Sequence, residues 1–268
     1  MKLSDTIAVI SILIILSVTL YFLWTNIPTE QIKFEEYKAE ISDDLPLQSS
    51  QFFPNMRYPK KEITFSLSTA CNEKKKQSFI EATKILEEET ILSFSQTEKA
   101  EIEVTCSNIA PEPEEKGHFV AGEGGPSLYI DTSLYGVIMS GKVALYRQET
   151  CDTPQIALHE ILHGLGFDHN SNEESIMFPI TSCDQKLDSF IVDEINRIYA
   201  QPSLPDLIIE NIQATKNNRD INFEIIILNS GLKKVEQSSL ELITESEIIK
   251  EFEIGDIDIG AKRKLTVS

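Results

Sequence analysis

The first feature of the hydrophobic pattern is an apolar run near the amino terminus. It covers residues 7–24, which is 18 residues, and no charge lies between Asp5 and Glu30. As a helix such a run is about 27 Å long, close to the thickness of one hydrocarbon core. We therefore predict an N-terminal membrane anchor over residues 1–24.

A cleaved signal peptide is the closest alternative for this run. No A-x-A-like cleavage site follows it, and the run is longer than a typical signal-peptide core, so an uncleaved anchor is preferred. Lys2 precedes the span and acidic residues follow it. The positive-inside tendency then places the remaining chain outside the cell, anchored to the cell membrane. In the alternative the chain is secreted after signal cleavage.

The stretch after the apolar run has no sustained period. Residues 25–60 are polar and contain several prolines, which is typical of a stalk or pro-segment. Periodic patterns return with an alternating strand at 61–68 and a helix at 74–90, whose apolar positions include Phe79 and Leu86. Further strands are predicted at 101–107 and 136–148, with a glycine-rich edge strand or loop over 119–131 between them.

Two more helices complete this part of the pattern. The first begins near Thr153, which can cap it, with Pro154 at its first position. The second is predicted at 187–200, and a linker follows at 201–206. Beyond the linker, residues 205–268 form short Ile-rich runs separated by turn residues. This is the pattern of a small all-β sandwich, either complete or lacking its last strand. The predicted fold class is α+β for 61–200, followed by that sandwich.

Charge and cysteine content narrow the possible environments. The net charge is −19, which disfavours nucleic acid as a partner because nucleic-acid binding needs a basic surface. The four cysteines include no C-x-x-C pair. Outside the cytoplasm, cysteines are expected to form disulfides. Three pairings are possible. We favour Cys71–Cys106 and Cys151–Cys183; four free buried thiols are the alternative.

The candidate chemistry lies in the segment HEILHGLGFDH, residues 159–169, which holds three of the four histidines. A helix places His159 and His163 on one face, where both imidazoles can bind one zinc ion. Glu160 is then beside the metal, in the position of a general base for a zinc-activated water. Gly164 and Gly166 are expected to end the helix, so the chain can return His169 as a third ligand. Three histidines leave one zinc position open, as in catalytic sites.

This segment resembles the H-E-x-x-H-x-x-G-x-x-H motif of metzincin metalloproteases. The nearby SIMFP, residues 175–179, resembles the Met-turn of that clan, in the form closest to the matrixins. The resemblance implies a twisted mixed sheet, an active-site helix, a Met-turn and a final helix, and it covers residues 61–200. Carried over position by position, it assigns three zinc ligands, a general base and a structural methionine: His159, His163, His169, Glu160 and Met177.

The sequence also departs from the matrixin pattern. Matrixins often bind a second, structural zinc, but only His118 remains for it, so we predict that this site is absent. The latency cysteine of the family is missing from residues 25–60, because no cysteine precedes Cys71. Asp152 and Asp168 are candidate calcium ligands, although solvated surface charge is the preferred interpretation. Cys151 and Cys183 flank the helix and the Met-turn, where a bond between them would hold the pocket wall to the start of the helix.

The expected function is that of a membrane-anchored, extracellular zinc endopeptidase acting on protein or peptide substrates. The alternative is an inactive surface adhesion or interaction protein that binds partners through its C-terminal sandwich. That sandwich resembles the CARDB-type immunoglobulin-like repeats, through PDL at residues 205–207 and ILNSG at residues 227–231. This module and the Ile-rich, Lys-over-Arg composition suggest an archaeal source.

Overall fold

The structure is a computed structural model that describes residues 15–22, 51–113, 119–217, 220–244 and 247–267. Most of the predicted anchor and stalk, and His118, lie outside these ranges. Residues 15–22 are helical with exposed side chains. Among the described helices, none is long and apolar enough to cross a membrane.

The first part of the chain, which we call the α+β domain (residues 51–200), is built on one five-stranded sheet. Its strands are β1 (Glu62–Leu67), β2 (Ser93–Gln96), β3 (Ile102–Cys106), β4 (Gly122–Asp131) and β5 (Gly136–Leu145). The order across the sheet is β2-β1-β3-β5-β4. Parallel pairing joins β2, β1, β3 and β5, and β4 closes the sheet as an antiparallel edge strand. The mixed sheet implied by the resemblance is therefore present.

Three helices accompany this sheet: α1 (Glu73–Glu89), α2 (Gln155–Gly164) and α3 (Ser189–Ala200). The helical spacing predicted for α1 is confirmed, since Phe79, Ala82 and Leu86 are fully buried. All three helices contribute to one apolar core together with β1, β3 and β5. Strand β2 was not predicted, because its burial does not alternate and its four residues carry no period-two signal.

The amino-terminal boundary of the α+β domain needs a correction. Residues 51–58, which we call the strap, were predicted to belong to a stalk or pro-segment ending at residue 60. In the structure the strap packs into the domain: Met56, Arg57 and Tyr58 are at most 1% exposed. The Tyr58 hydroxyl donates to the Gly164 carbonyl at 3.1 Å. The absence of a period misled the prediction, because an irregular segment can be buried when other elements satisfy its polar groups.

In the C-terminal module (residues 201–267), the regular elements among the described residues are all strands. These are β6 (Leu207–Asn217), β7 (Asp220–Asn229), β8 (Val235–Thr244), β9 (Glu247–Ile257) and β10 (Lys262–Val267). They form two antiparallel sheets, β10-β7-β6 and β8-β9. Residues of both sheets share a small apolar cluster that includes Ile225, Ile227 and Ile254. The strands predicted within 205–268 are therefore present, and the likeness to CARDB repeats stays a prediction.

Candidate metal centre and active site

Helix α2 carries the first two histidines and is held at both ends. Its amino-terminal end is not capped by Thr153 as predicted, since the cap position is Pro154 and no side chain caps it there. Instead, the Glu149 carboxylate accepts from the backbone N–H of Ile156 at 2.9 Å. A carboxylate is favourable at this end because the helix dipole is positive there.

The carboxyl-terminal end of α2 closes with a Schellman motif. The N–H of Phe167 donates to Leu162 O at 3.0 Å and the N–H of Gly166 to His163 O at 2.9 Å. Gly166 has φ +97°, and a Cβ there would lie 2.6 Å from Met56 Cγ. Of the two glycines predicted to end the helix, Gly166 therefore makes the turn. This turn directs the chain back towards the helix and brings His169 to the first two histidines.

The three imidazoles meet at one point. The His163 and His159 Nε2 atoms are 3.0 Å apart, and each is 3.2 Å from His169 Nε2. Ligands of a tetrahedral zinc at 2.0–2.1 Å are about 3.3–3.4 Å apart, so the donor set fits that ion. His159 and His163 are buried and His169 is exposed, which leaves one side of the cluster open to solvent. Within the described residues, these three side chains form the only group of three or more histidine, cysteine or acidic residues close enough to bind a metal ion.

Backbone carbonyls fix the orientation of the two buried rings. His159 Nδ1 lies 2.6 Å from Ile176 O, and His163 Nδ1 lies 2.7 Å from Phe167 O. Because a carbonyl only accepts, each Nδ1 must carry the proton, and each Nε2 is left as a metal-binding lone pair. Burial is the main cause that lowers the pKa of His159 to about 4 and of His163 to about 3. Both rings are therefore neutral at pH 7, as metal ligands must be.

The predicted Met-turn packs beside the metal centre and makes hydrogen bonds to it. Met177 is fully buried, and its neighbour Ile176 supplies the carbonyl that orients His159. The Met177 carbonyl accepts from the N–H of Asn170, one residue after His169. The turn thus touches the segments of two of the three histidines. Its own shape depends on Ser175, whose hydroxyl contacts Asp188 and accepts from Met177 N at 3.0 Å.

Glu160 lies on α2 between the two buried histidines, against the edge strand. A Cβ on Gly122 would lie 2.7 Å from Glu160 Oε1, and one on Gly124 would collide with the Glu160 carbonyl. Only glycines at these two positions let β4 approach so closely. Burial, and to a lesser degree Glu123, raises the pKa of Glu160 to about 8. A bound divalent cation acts in the opposite direction and favours the ionised carboxylate.

Both favoured disulfides, Cys71–Cys106 and Cys151–Cys183, are present. The second joins the start of α2 to the loop after the Met-turn, as predicted. A buried glutamine, Gln155, adds to this attachment: its amide donates to Cys183 O at 3.0 Å and to Gln185 O at 2.8 Å. The Gln185 side chain in turn donates to Ile180 O at 2.9 Å, so a buried side chain also stabilises the loop after the Met-turn.

Several supporting residues were not found from the sequence. Gln155, Gln185 and Ser175 sit in no recognisable motif, since their partners are backbone groups of loops whose path only the fold determines. The glycines of β4 did carry a signal, because alternate glycines in a strand indicate a close approach of another backbone. The two candidate calcium ligands do not form a cluster in the described structure: Asp152 is exposed, and Asp168 accepts from the N–H of His169 at 2.7 Å.

The fold and this centre together have the arrangement of the metzincin type. The family model described as Matrixin matches residues 57–200, and the chain belongs to the matrixin family. The chain is also 29% identical over 150 residues to Stromelysin-1 of Rattus norvegicus. That match covers 51% of this chain and 30% of the relative, so the chain spans less than a third of the length of the curated protein it matches.

Proposed function

We propose that this chain is a zinc endopeptidase in which His159, His163 and His169 bind the metal and Glu160 is the general base. The observation that carries the proposal is the convergence of three imidazole nitrogens within 3.0–3.2 Å, with the only carboxylate of α2 beside them. Membership of the matrixin family and the likeness to a stromelysin support the same chemistry.

The zinc centre and Glu160 would have different roles in the reaction. Zinc in this centre would polarise the scissile carbonyl and make the attacking water more acidic. Glu160 would take the proton from that water and deliver it to the departing amine. Its burial suits this role, because a raised pKa brings the proton affinity of the carboxylate closer to neutral pH.

Strand β4 is the element best placed to bind the peptide backbone. Its described pairing is with β5 on one side, so its other edge is available for an extended peptide to add as a further strand. Gly122 and Gly124 bring that edge directly against Glu160. A peptide paired with β4 would therefore run past the general base.

We further propose that the chain acts outside the cell, attached to the membrane through residues 1–24 or released after cleavage there. The two disulfides support an oxidising compartment. The nature of the protein or peptide substrate is a separate question, which cleavage profiling of a peptide library with the purified full-length chain would answer.

The Glu160→Gln substitution tests the proposed chemistry. The zinc-loaded variant should lose casein hydrolysis by about 10²–10⁴-fold, because the proton transfer is lost, while elemental analysis still finds one zinc per chain. Glu88→Gln, on the exposed face of α1, is the matched control and should cleave normally. Near-normal turnover by Glu160→Gln would contradict the assignment. A wild-type chain that binds zinc and cleaves nothing would favour the adhesion protein instead.

A further inference from the structure

A cavity lies at one end of β4, namely the end that is far from Glu160. Its volume is about 290 Å³, and we call it the distal cavity. Pockets for whole drug-sized ligands span roughly 300–1,000 Å³, so this one suits a single large side chain. The strap, the end of β4 and the β4–β5 turn form its walls, chiefly through Phe53, Pro54, Tyr129, Asp131, Leu134 and Tyr135.

Three of the nine lining residues are aromatic, and the walls are partly open to water. The Phe53 and Tyr129 rings pack with their centroids 4.9 Å apart. Phe53 nevertheless stays 41% exposed and Leu134 49% exposed. Covering such apolar surface is favourable by about 25 cal/mol per Å², so a fitting apolar group would gain affinity there.

The distal cavity faces the same side of the sheet as the active-site helix. Gly122 and Gly124 point towards Glu160 from the first half of β4. Register shifts between Pro126 and Tyr129 then change which residues face inward. As a result Tyr129, although odd-numbered, packs against the core that contains α2.

The strap makes a second connection between the metal centre and the cavity. Phe52 stacks on the His163 imidazole, with ring centroids 5.8 Å apart and an interplanar angle of 25°. The next residue, Phe53, packs against Tyr129 at the cavity, with the two rings tilted by 30°. Two adjacent residues of the strap therefore contact the metal centre and the distal cavity.

We propose that the distal cavity is a subsite for a bulky apolar side chain, preferably aromatic, of an extended peptide substrate paired with β4. This inference rests on the proposed peptidase function. Gly122 and Tyr129 are separated by roughly 20 Å at about 3.3 Å per strand residue. The recognised side chain is therefore roughly five to seven residues from the cleaved bond.

The charges around the cavity favour an apolar occupant over a charged one. Asp131 already accepts from the N–H of Ser133 at 2.9 Å. Arg197, which donates to the lining residue Asn55 at 2.9 Å, is paired with Glu194 at 2.6 Å. Each of these charged groups therefore already has a hydrogen-bonding partner within the chain. Aromatic walls instead reward an aromatic ring, because ring pairs add about 0.5–1.5 kcal/mol to the burial of area.

Peptide binding to the zinc-loaded, full-length Glu160→Gln chain tests the subsite without cleavage. Peptide pairs would differ only in Phe or Ser at one position, placed roughly five to seven residues to either side of a cleavable bond. At one of these positions the Phe peptide should bind about tenfold tighter than its Ser partner, as expected for one apolar pocket. Phe53→Ala, added to this background, should reduce that ratio to about twofold or less.

Two further variants separate the subsite from general damage. Leu134→Trp, which fills the cavity without removing its walls, should also abolish the preference. Phe119→Ala is the matched control, since Phe119 is 64% exposed and is not part of the cavity wall, and the preference should persist. Equal binding of Phe and Ser at every position would overturn the inference. So would a tenfold ratio that survives both Phe53→Ala and Leu134→Trp.

The same peptides distinguish failure of the subsite from failure of the proposed function. If the chain with Glu160 intact cleaves them but shows no preference, the subsite is wrong and the peptidase function stands. If it cleaves none of them although zinc is bound, the peptidase function is wrong. The binding ratio of the Glu160→Gln chain then still decides whether the cavity recognises a bulky apolar side chain.

Discussion

The α+β domain and the C-terminal module differ in what they bury. The α+β domain encloses charged and titratable groups, among them Arg57, Lys75, His159 and Glu160, within a core built from both sheet and helices. The shared core of the module holds five buried apolar side chains, while Ile212, Ile248 and other large apolar residues stay at least half exposed.

This difference shows what a catalytic centre requires of its surroundings. Burying a polar group costs free energy unless a partner is supplied, and the larger domain has enough backbone and side chains to supply them. Lys75 illustrates this, because its ammonium group donates to the carbonyls of Ser107, Leu145 and Tyr146 at 2.9–3.0 Å. The module buries the Asn229 side chain, which makes four hydrogen bonds. All four are with backbone groups of the module itself.

The largest test of the comparison is metal removal. A ligand that binds only the folded state stabilises it by RT ln(1 + [L]/Kd), which is about 4 kcal/mol at a thousandfold excess over Kd. A chelator should therefore lower the unfolding temperature of the α+β domain and leave that of the module unchanged, as calorimetry of the full chain would show. A His163→Ala chain should not respond to the chelator. Equal shifts in both transitions would show that the two regions unfold together.

The next test removes a buried charge that lies outside the metal centre. Lys75→Met leaves several strand-end carbonyls without their donor, so we expect a loss of about 3 kcal/mol in the free energy of unfolding. Lys250→Met is the matched change in the module, where the exposed lysine lies 5.0 Å over the Phe252 ring, and it should cost under about 1 kcal/mol. Denaturant titration measures both, and similar losses would remove the contrast.

A third substitution tests whether the module can be weakened on its own. Ile227→Ala deletes a side chain that is 2% exposed in the small cluster and should destabilise the module by about 2–3 kcal/mol. Hydrolysis of a short peptide by the same chain should stay within about twofold of wild type, because Ile227 contacts no part of the site. A large loss of activity would show that the module shapes the catalytic centre.

The smallest expected effect concerns the strap. Phe52→Ala removes the ring stacked on His163, and loss of such outer support weakens metal binding by about tenfold. Competition with a coloured chelator would measure the zinc affinity. Phe119→Ala, an exposed aromatic residue elsewhere in the domain, should leave the affinity unchanged. An unchanged affinity in Phe52→Ala would mean that the carbonyl of Phe167 alone positions the imidazole.

Local patterns in the sequence accounted for much of the fold. Helix α1 followed from its apolar spacing and β1 from its alternation, because these elements lie half in the core and half outside it, and β3 and β5 lie within predicted strands. The strap and β2 did not follow, since neither has a period. Their burial comes from neighbours distant in the chain, such as Tyr199, whose hydroxyl accepts from the N–H of Tyr58 at 2.9 Å.

By itself, the sequence determined the candidate metal ligands, the candidate base and the turn that returns His169. All of these lie within eleven residues, where helix geometry and one left-handed glycine fix the spacing. Only the tertiary structure decided which carbonyls orient the imidazoles and that β4 lies against Glu160. It also decided that Phe52 contacts His163 while Phe53 lines the distal cavity. The contacts of β4 and of the strap join residues that are far apart in the chain, from 38 residues for Gly122 and Glu160 to 111 for Phe52 and His163. No local pattern encodes where two such distant segments meet.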